Sequence, residues 1–395
     1  MRDAMVALAR RGVESAALVH RHTFSLTSRH ETYAAGEHRF QVVRTGMWAR
    51  LMYTPISPAF GWHLWRLVKS CKPDVLHLHL PNPSVFWVLA LPAARRVRWV
   101  VHWHSDVITS AQDRWMKLFY HLYRPFEKAV LKRADAIVAT SLPYLNSSRP
   151  LQAWVDKCHV VPLGVGVERF EHSADQQVLQ AQDHAAGSGS CHEIQTQPVS
   201  NPSLLRVLAI GRLTYYKGFR YLIEAAARVK NLHVDIVGQG EEMHNLRSLR
   251  DTFNLQSRLI FHGELSDPDL AKKMAQCDCI CLPSIERTEA FGMVLLEAMY
   301  FSKATVISDV PGSGMGWIVD DGMTGLKVRS ADAEALAETF RTLSGNRENL
   351  IRMGQQGRVK FDEQFEINHT VKGLIAVYRQ VLTAGGPLHR GPLDI

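Results

Sequence analysis

From residue 204 onward, short apolar runs alternate with amphipathic segments. The runs LLRVLAI, LHVDIVG, RLIFHG, CICLP, ATVIS and GLKV are brief and aliphatic, which predicts strands; the segments around 219–230, 241–254, 268–276, 291–300 and 332–344 predict helices. Alternation of this kind calls for a parallel sheet covered by helices on both faces. The first half repeats the theme through VESAALV, DVLHLHL, WVVHWHS, AIVATS and CHVVPLG. The expected fold class is therefore α/β, with two doubly wound Rossmann-like domains in succession.

Their boundaries follow from where the periodicity fails. Residues 171–203 are polar, rich in Gln, Ser and Ala, and without apolar period, which predicts a linker or mobile loop between a domain at 1–170 and one at 204–360. Residues 361–395 hold a helix, EINHTVKGLIAVYRQVLTA, expected to cross back onto the first domain, and a Gly-Pro-rich tail. At the other end, MRDAMVALARRG reads as an amphipathic helix ending at Gly12 and feeding the strand VESAALV, so the pattern starts inside a β-α-β unit with its first strand missing.

Composition narrows the class. Hydrophobic residues are 46% and charged residues 21% of the 395, enough for two domains with cores. No apolar run is long enough to span a bilayer, and the first residues lack a signal-peptide pattern, so the expected compartment is the cytoplasm. Cys277, Cys279 and Cys281 alternate in QCDCICLP; lacking Cys-x2-Cys knuckles, they read as small residues on a buried strand face rather than zinc ligands. The net charge of +8 is uneven: residues 1–170 carry 23 Lys or Arg against 11 Asp or Glu, or +12, leaving −4 for the rest. The first half is thus suited to an anionic partner, a membrane surface or a nucleic acid. The stretches RTGMWARLMYTPISPAFGWHLWRLVK and DRWMKLFYHLYRPFEK mix cations with aromatics as bilayer-bound surfaces do; a core of aromatics under a solvated basic face is the other reading. No nucleic-acid reading motif accompanies them.

Candidate chemistry gathers at strand ends in the second half. The strand LRVLAI ends in Gly211-Arg212-Leu213, and Lys217-Gly218 opens the next helix. Ligands of open parallel sheets bind beyond the carboxyl ends of strands, where Arg212 and Lys217 could hold a diphosphate. VDIVG ends in Gln239-Gly240-Glu241, a tight turn at the same edge. Gly240 would allow close backbone approach to a ligand, although a turn alone also explains it. Neither this turn, with Met243 where a third glycine is required, nor Gly312-Ser313-Gly314-Met315-Gly316 completes a dinucleotide fingerprint, which argues against a nicotinamide or flavin oxidoreductase. After CICLPSIER comes TEAFGMVLLEAM. A helix starting near Phe291-Gly292-Met293 would aim its free N–H groups at the same cleft, an anion site, with Glu289 in the loop before it and Glu297 one to two turns in. Glu297 is the only charge between Phe291 and Ser302 and needs polar partners there. Asp267-Pro268-Asp269 reads as a helix start, not a metal-binding Asp-x-Asp. His102 and His104, two apart on a strand, are taken to face opposite sides, which leaves no metal pair.

GRLTYYKG, VGQGEE and above all EAFGMVLLEA, with its Glu-x7-Glu spacing, resemble the donor-binding domain of retaining glycosyltransferases of family 4, which have the GT-B fold. VVHWHSD resembles the family's cleft strand with its histidine, and VVPLGVGVERF the segment that joins the domains. The resemblance implies two domains facing a cleft, with Arg212 and Lys217 neutralising a nucleotide-sugar diphosphate, Glu289 on the sugar hydroxyls, the amides of Phe291, Gly292 and Met293 on sugar or phosphate, Glu297 on the ribose, and His104 beside the transferred sugar. It implies no obligatory metal or cofactor. Gly-Met-Gly-Trp-Ile-Val followed by Thr-Gly, with Trp317 where many members have glutamate, resembles bacterial mannosyltransferases of exopolysaccharide (xanthan/acetan-type) or O-antigen assembly. The implied activity is transfer of mannose from GDP-mannose to a polyprenyl-diphosphate-linked oligosaccharide, by a peripheral enzyme at the inner membrane face, with no nucleic-acid partner. Because relatives follow the first strand with a Gly-rich loop, the alternative is a relative that binds nucleotide sugar without turnover.

Overall fold

In the computed structural model, residues 2–35, 37–51, 54–107, 114–168, 170 and 204–384 are described; the segment read as a linker lies outside them. The chain divides into two compact units, Met1–Leu163 with Ile367–Ile395, and Gly164–Glu366. The divisions fall a few residues from those read in the sequence at 170 and 360.

In the first unit, the parallel strands fall into two sheets instead of one. β1 (Ala16–Phe24) pairs in parallel with β3 (His38–Met47), and β3 pairs antiparallel with β2 (Arg29–Ala35), which the apolar pattern did not predict. β4 (Ala49–Leu51) and β5 (Thr54–Ile56) form a small antiparallel pair. A four-stranded parallel sheet follows in the order β6 (Val75–Leu80), β7 (Arg98–Trp103), β8 (Ala136–Ala139) and β9 (Cys158–Val160). One face of that sheet, with Val100, Ala136 and Val138, buries Leu374, Val377 and Val381 of the helix Ile367–Thr383. The same helix packs Val371 and Ile367 against Ala7 and Leu8 of the helix Arg2–Ala9. The C-terminal helix is therefore part of the first unit's core.

The second unit is one six-stranded parallel sheet, ordered β12-β11-β10-β13-β14-β15: β10 (Leu205–Ile210), β11 (Leu232–Val237), β12 (Leu259–Gly263), β13 (Cys279–Leu282), β14 (Ala304–Asp309) and β15 (Gly325–Arg329). All six correspond to predicted runs, because strands buried on both faces are continuously apolar. Cys279 and Cys281 lie fully buried in the core, where burial pushes both thiols up in pKa. Chain order reverses between β10 and β13. The loops that leave these two strands diverge at a topological switch point, the usual place for a ligand in such sheets.

Candidate functional site

The loop after β10 is Gly211–Gly218. It turns back through hydrogen bonds from the Leu213 amide to the Gln239 carbonyl (2.9 Å) and from the Lys217 amide to the Thr214 carbonyl (3.1 Å). Gly218, at φ 66°, closes it, and a Cβ there would stand 2.1 Å from the carbonyl oxygen of Pro283. Only glycine fits both the left-handed backbone and that approach. The contact joins this loop to the one after β13, as does the bond from the Ile285 amide to the Tyr216 carbonyl (2.8 Å). Gly240 is likewise explained within the protein. A Cβ there would meet the Leu213 carbonyl oxygen at 2.3 Å, so packing of the neighbouring loop, with no ligand, suffices to require glycine.

The loop after β13 carries Glu289, whose carboxylate forms a short ion pair with Lys217 Nζ; each side chain is only 12% exposed. Ser284 Oγ donates to the same carboxylate oxygen at 3.3 Å. Ser313 fixes the backbone by donating from Oγ to the Glu289 carbonyl and accepting from the Met315 amide at 3.2 Å, while the Gly314 amide donates to the Ala290 carbonyl at 2.8 Å. Sequence reading passed over Ser284 and Ser313. The Gly-Ser-Gly cluster 312–314, weighed there only as a nucleotide fingerprint, was the available signal.

The helix beyond this loop spans Met293–Tyr300, two residues later than its expected beginning, with Gly292 at φ 91° as its N-cap. Phe291 is buried against Phe365 with ring centroids 6.4 Å apart, so its side chain is a packing group. The first amides of the helix, from Met293 on, lack carbonyl partners within it and form its positive end. Glu297 lies in the second turn, partly exposed, between buried Leu296 and Ala298. Solvent reaches it, which relieves the cost expected of a carboxylate in a dry core. Arg212 pairs at 3.6 Å with Glu241, and both are about half exposed. The second unit thus gathers Gly211, Arg212, Lys217, Gly240, Glu289, Phe291, Gly292, Met293 and Glu297 at the carboxyl edge of one sheet. Both cations already hold carboxylates, a feature that sequence spacing concealed.

His104 belongs to the first unit, directly after β7. The expectation that His102 and His104 face opposite sides is wrong. Residues two apart on a strand share a face, and the two rings stack with centroids 4.4 Å apart at 10°. His77 and His79 of β6 join them, and burial holds all four imidazoles neutral: it lowers His104 to about 4 and His77 to about 3, with His79 and His102 also well below the ordinary range. Asp267-Pro268-Asp269 opens the helix Asp267–Gln276, with Ser266 Oγ accepting from the Asp269 amide at 3.3 Å.

Among the aromatic stretches, the helix Phe60–Cys71 buries Phe60, Leu64 and Val68 but leaves Trp62 and Trp65 exposed with Arg66 and Lys69. In the helix Arg114–Arg133, Tyr123 is buried, whereas Leu118, Leu122 and Phe126 are exposed. Among the described residues, no helix is long and apolar enough to cross a membrane.

Comparison with known proteins agrees with this architecture. The model described as "Glycosyltransferase Family 4" matches residues 1–169, and "Glycosyl transferases group 1" matches residues 192–360. The chain is 30% identical to the O-antigen chain mannosyltransferase C of Escherichia coli, over 82% of this chain and 81% of the relative. It is 28% identical to a phosphatidyl-myo-inositol mannosyltransferase of Mycobacterium leprae, over 86% and 81% respectively. Among solved structures, sucrose-phosphate synthase from Thermosynechococcus elongatus superposes with a TM-score of 0.73 at 22% identity, covering 97% of this chain and 93% of that one. The fold and its two α/β units are those of GT-B glycosyltransferases. Within that class, the chain belongs to glycosyltransferase family 4.

Proposed function

We propose that the protein is a retaining mannosyltransferase that moves mannose from GDP-mannose onto a polyprenyl-diphosphate-linked oligosaccharide in polysaccharide assembly. The observation that carries the reading is the Lys217–Glu289 pair beside the positive end of the helix Met293–Tyr300. An ammonium has three donors and the Glu289 contact uses one, so Lys217 can hold that carboxylate and a phosphate oxygen together. The exposed Arg212–Glu241 pair is weak and gives way to a diphosphate, which offers Arg212 a bidentate partner. Glu289, held by Lys217, Ser284 and Ser313, receives the sugar hydroxyls, and Glu297 the ribose hydroxyls. These cations and the helix terminus offset the charge of the departing diphosphate, so the donor needs no divalent metal. As the C1–oxygen bond to phosphate breaks, the acceptor oxygen bonds to C1 on the same face. Its proton passes to the leaving phosphate oxygen, and the nucleoside diphosphate departs.

Mannose is favoured by the names of the Escherichia coli and Mycobacterium leprae relatives, the second of which takes a lipid as acceptor by its name. The membrane role is supported by Trp62 and Trp65 on the face that carries Arg66 and Lys69. The test is incubation with labelled GDP-mannose, UDP-glucose and other donors, with bacterial lipid extract as acceptor. A labelled lipid from GDP-mannose alone, with an α-anomeric product by NMR, is expected. Transfer from a different donor only, or donor binding without transfer, sinks the assignment.

A further inference from the structure

Three of the clustered histidines, His77 and His79 of β6 and His102 of β7, have no part in the proposed donor chemistry. In the parallel register His79 lies opposite His102, and His77 precedes it by one pleat on the same face. That face also carries Val100, packed beneath the helix Ile367–Thr383, whose Tyr378 hydroxyl hydrogen-bonds His77 Nδ1. The rings form a stack: His77–His79 centroids are 4.7 Å apart at 1°, and His79–His104 5.1 Å at 10°. The rings are also linked in pairs by hydrogen bonds, His77 Nε2 with His102 Nδ1 at 3.1 Å and His79 Nδ1 with His104 Nε2 at 2.8 Å. His102 is 3% exposed, and its Nε2 is buried without a hydrogen-bond partner. A core that only needed filling would leave a costly orphan of that kind out.

One nitrogen from each of His77, His79 and His102 lies within 4.8 Å of the others. Tetrahedral zinc at about 2.0–2.1 Å from each imidazole needs its ligands about 3.4 Å apart, so the triangle must contract by up to about 1.4 Å and the three rings, which lie within 20° of parallel, must turn to bring their lone pairs onto one ion. We propose that His77, His79 and His102 form a binding site for a zinc-class divalent transition metal, with its fourth position left to water or an anion. The donor set is imidazole only, which suits zinc, nickel, cobalt and copper and excludes magnesium and calcium. Tyr378 acts from the outer shell by engaging His77 Nδ1, so that Nε2 faces the metal. His77 and His79 are only partly buried, so an ion can enter. The bound metal would clip β6, an edge strand of its sheet, to β7. The proposal departs from the expectation of a metal-free protein and is independent of the donor assignment.

The full-length protein, stripped with chelator, is to be titrated with Co2+ and Zn2+ in metal-buffered dialysis. Expected are one equivalent bound with a dissociation constant of about 1 μM or tighter, the visible bands of tetrahedral Co2+, and a rise in melting temperature. His79→Gln and the gentler His77→Asn should each weaken binding by at least about tenfold with circular dichroism unchanged. The double variant His233→Gln/His262→Gln, which removes the other histidine pair beside Asp235, should leave binding intact. No stoichiometric binding by the folded wild type overturns the proposal. So does binding that survives both single substitutions or disappears with the control.

Discussion

Breaking the Lys217–Glu289 pair tests whether the loops at the switch point are held by charge. The two side chains are each 12% exposed, so removing one partner strands a poorly hydrated charge, at a cost of about 3 kcal/mol from buried-pair precedents. Glu289 would retain Ser284 Oγ, at 3.3 Å, as a neutral partner, which keeps the loss at the lower end of the 3–5 kcal/mol range. Lys217→Met preserves the aliphatic stem against Gly211 and over the Tyr216 ring, 5.9 Å from Nζ, and forfeits only about 0.5–1 kcal/mol of cation–π attraction. Glu289→Gln keeps the shape of the acid. Each single variant should therefore lose about 3 kcal/mol, whereas the double variant, with no stranded charge, should lose about 2 kcal/mol, giving a coupling of about 4 kcal/mol. Native-state hydrogen exchange of the β10 and β13 amides reads the opening free energy of the second unit directly. A coupling below about 0.5 kcal/mol would refute the reasoning, since it would mean that the pair is solvated in practice. Under the proposed function, Glu289→Gln also leaves Lys217 wholly to phosphate. It should bind free nucleoside diphosphate several-fold more tightly while transferring sugar more slowly.

The remaining predictions draw on other parts of the molecule. Gly218→Ala puts a Cβ 2.1 Å from the Pro283 oxygen on a left-handed backbone and should lose about 3 kcal/mol or more, whereas Gly322→Ala, with φ 72° but nothing within 4 Å, should lose only about 1–2 kcal/mol; urea melts compare them. Glu297→Ala should raise the KM for donor with little change in kcat, and His104→Ala should lower kcat; normal kinetics in both would remove them from the site. Trp62→Glu/Trp65→Glu should abolish sedimentation with anionic vesicles if the exposed face meets the membrane. Burial and neighbouring Asp106 raise Glu127 to about 7. Its contribution to stability is therefore complete below about pH 4.5 and lost as pH rises through 7, with a slope up to about 1.4 kcal/mol per pH unit. Glu127→Gln should flatten the fall seen in chelator-treated protein above pH 6.5. The four depressed histidines act oppositely, contributing above pH 6.5 and losing that contribution as pH falls toward 4.

What could be read in the sequence was set by the range of the interaction concerned. β10–β15 were legible because each is an uninterrupted apolar run, the mark of a strand covered on both faces. β2 was not: RHETYAA alternates polar with polar, and its place depends on Tyr33 pairing across the ladder with Phe40, ring centroids 5.7 Å apart. The phosphate-side residues were legible as types at strand ends, where a local rule applies. Their pairing was not, because Lys217 and Glu289 lie 72 residues apart and meet only through the switch-point topology. The histidines add a different lesson. Parity along β7 was within reach of the sequence and was misjudged, but the register that sets His79 against His102 is non-local and could be seen only in the fold. Local pattern therefore fixes where a strand ends and which residue types stand there. Whether a cation there is free or already neutralised, and whether a histidine is filler or a member of a converging set, is decided by contacts between strands. That distinction separates a list of plausible residues from a site with a definable charge.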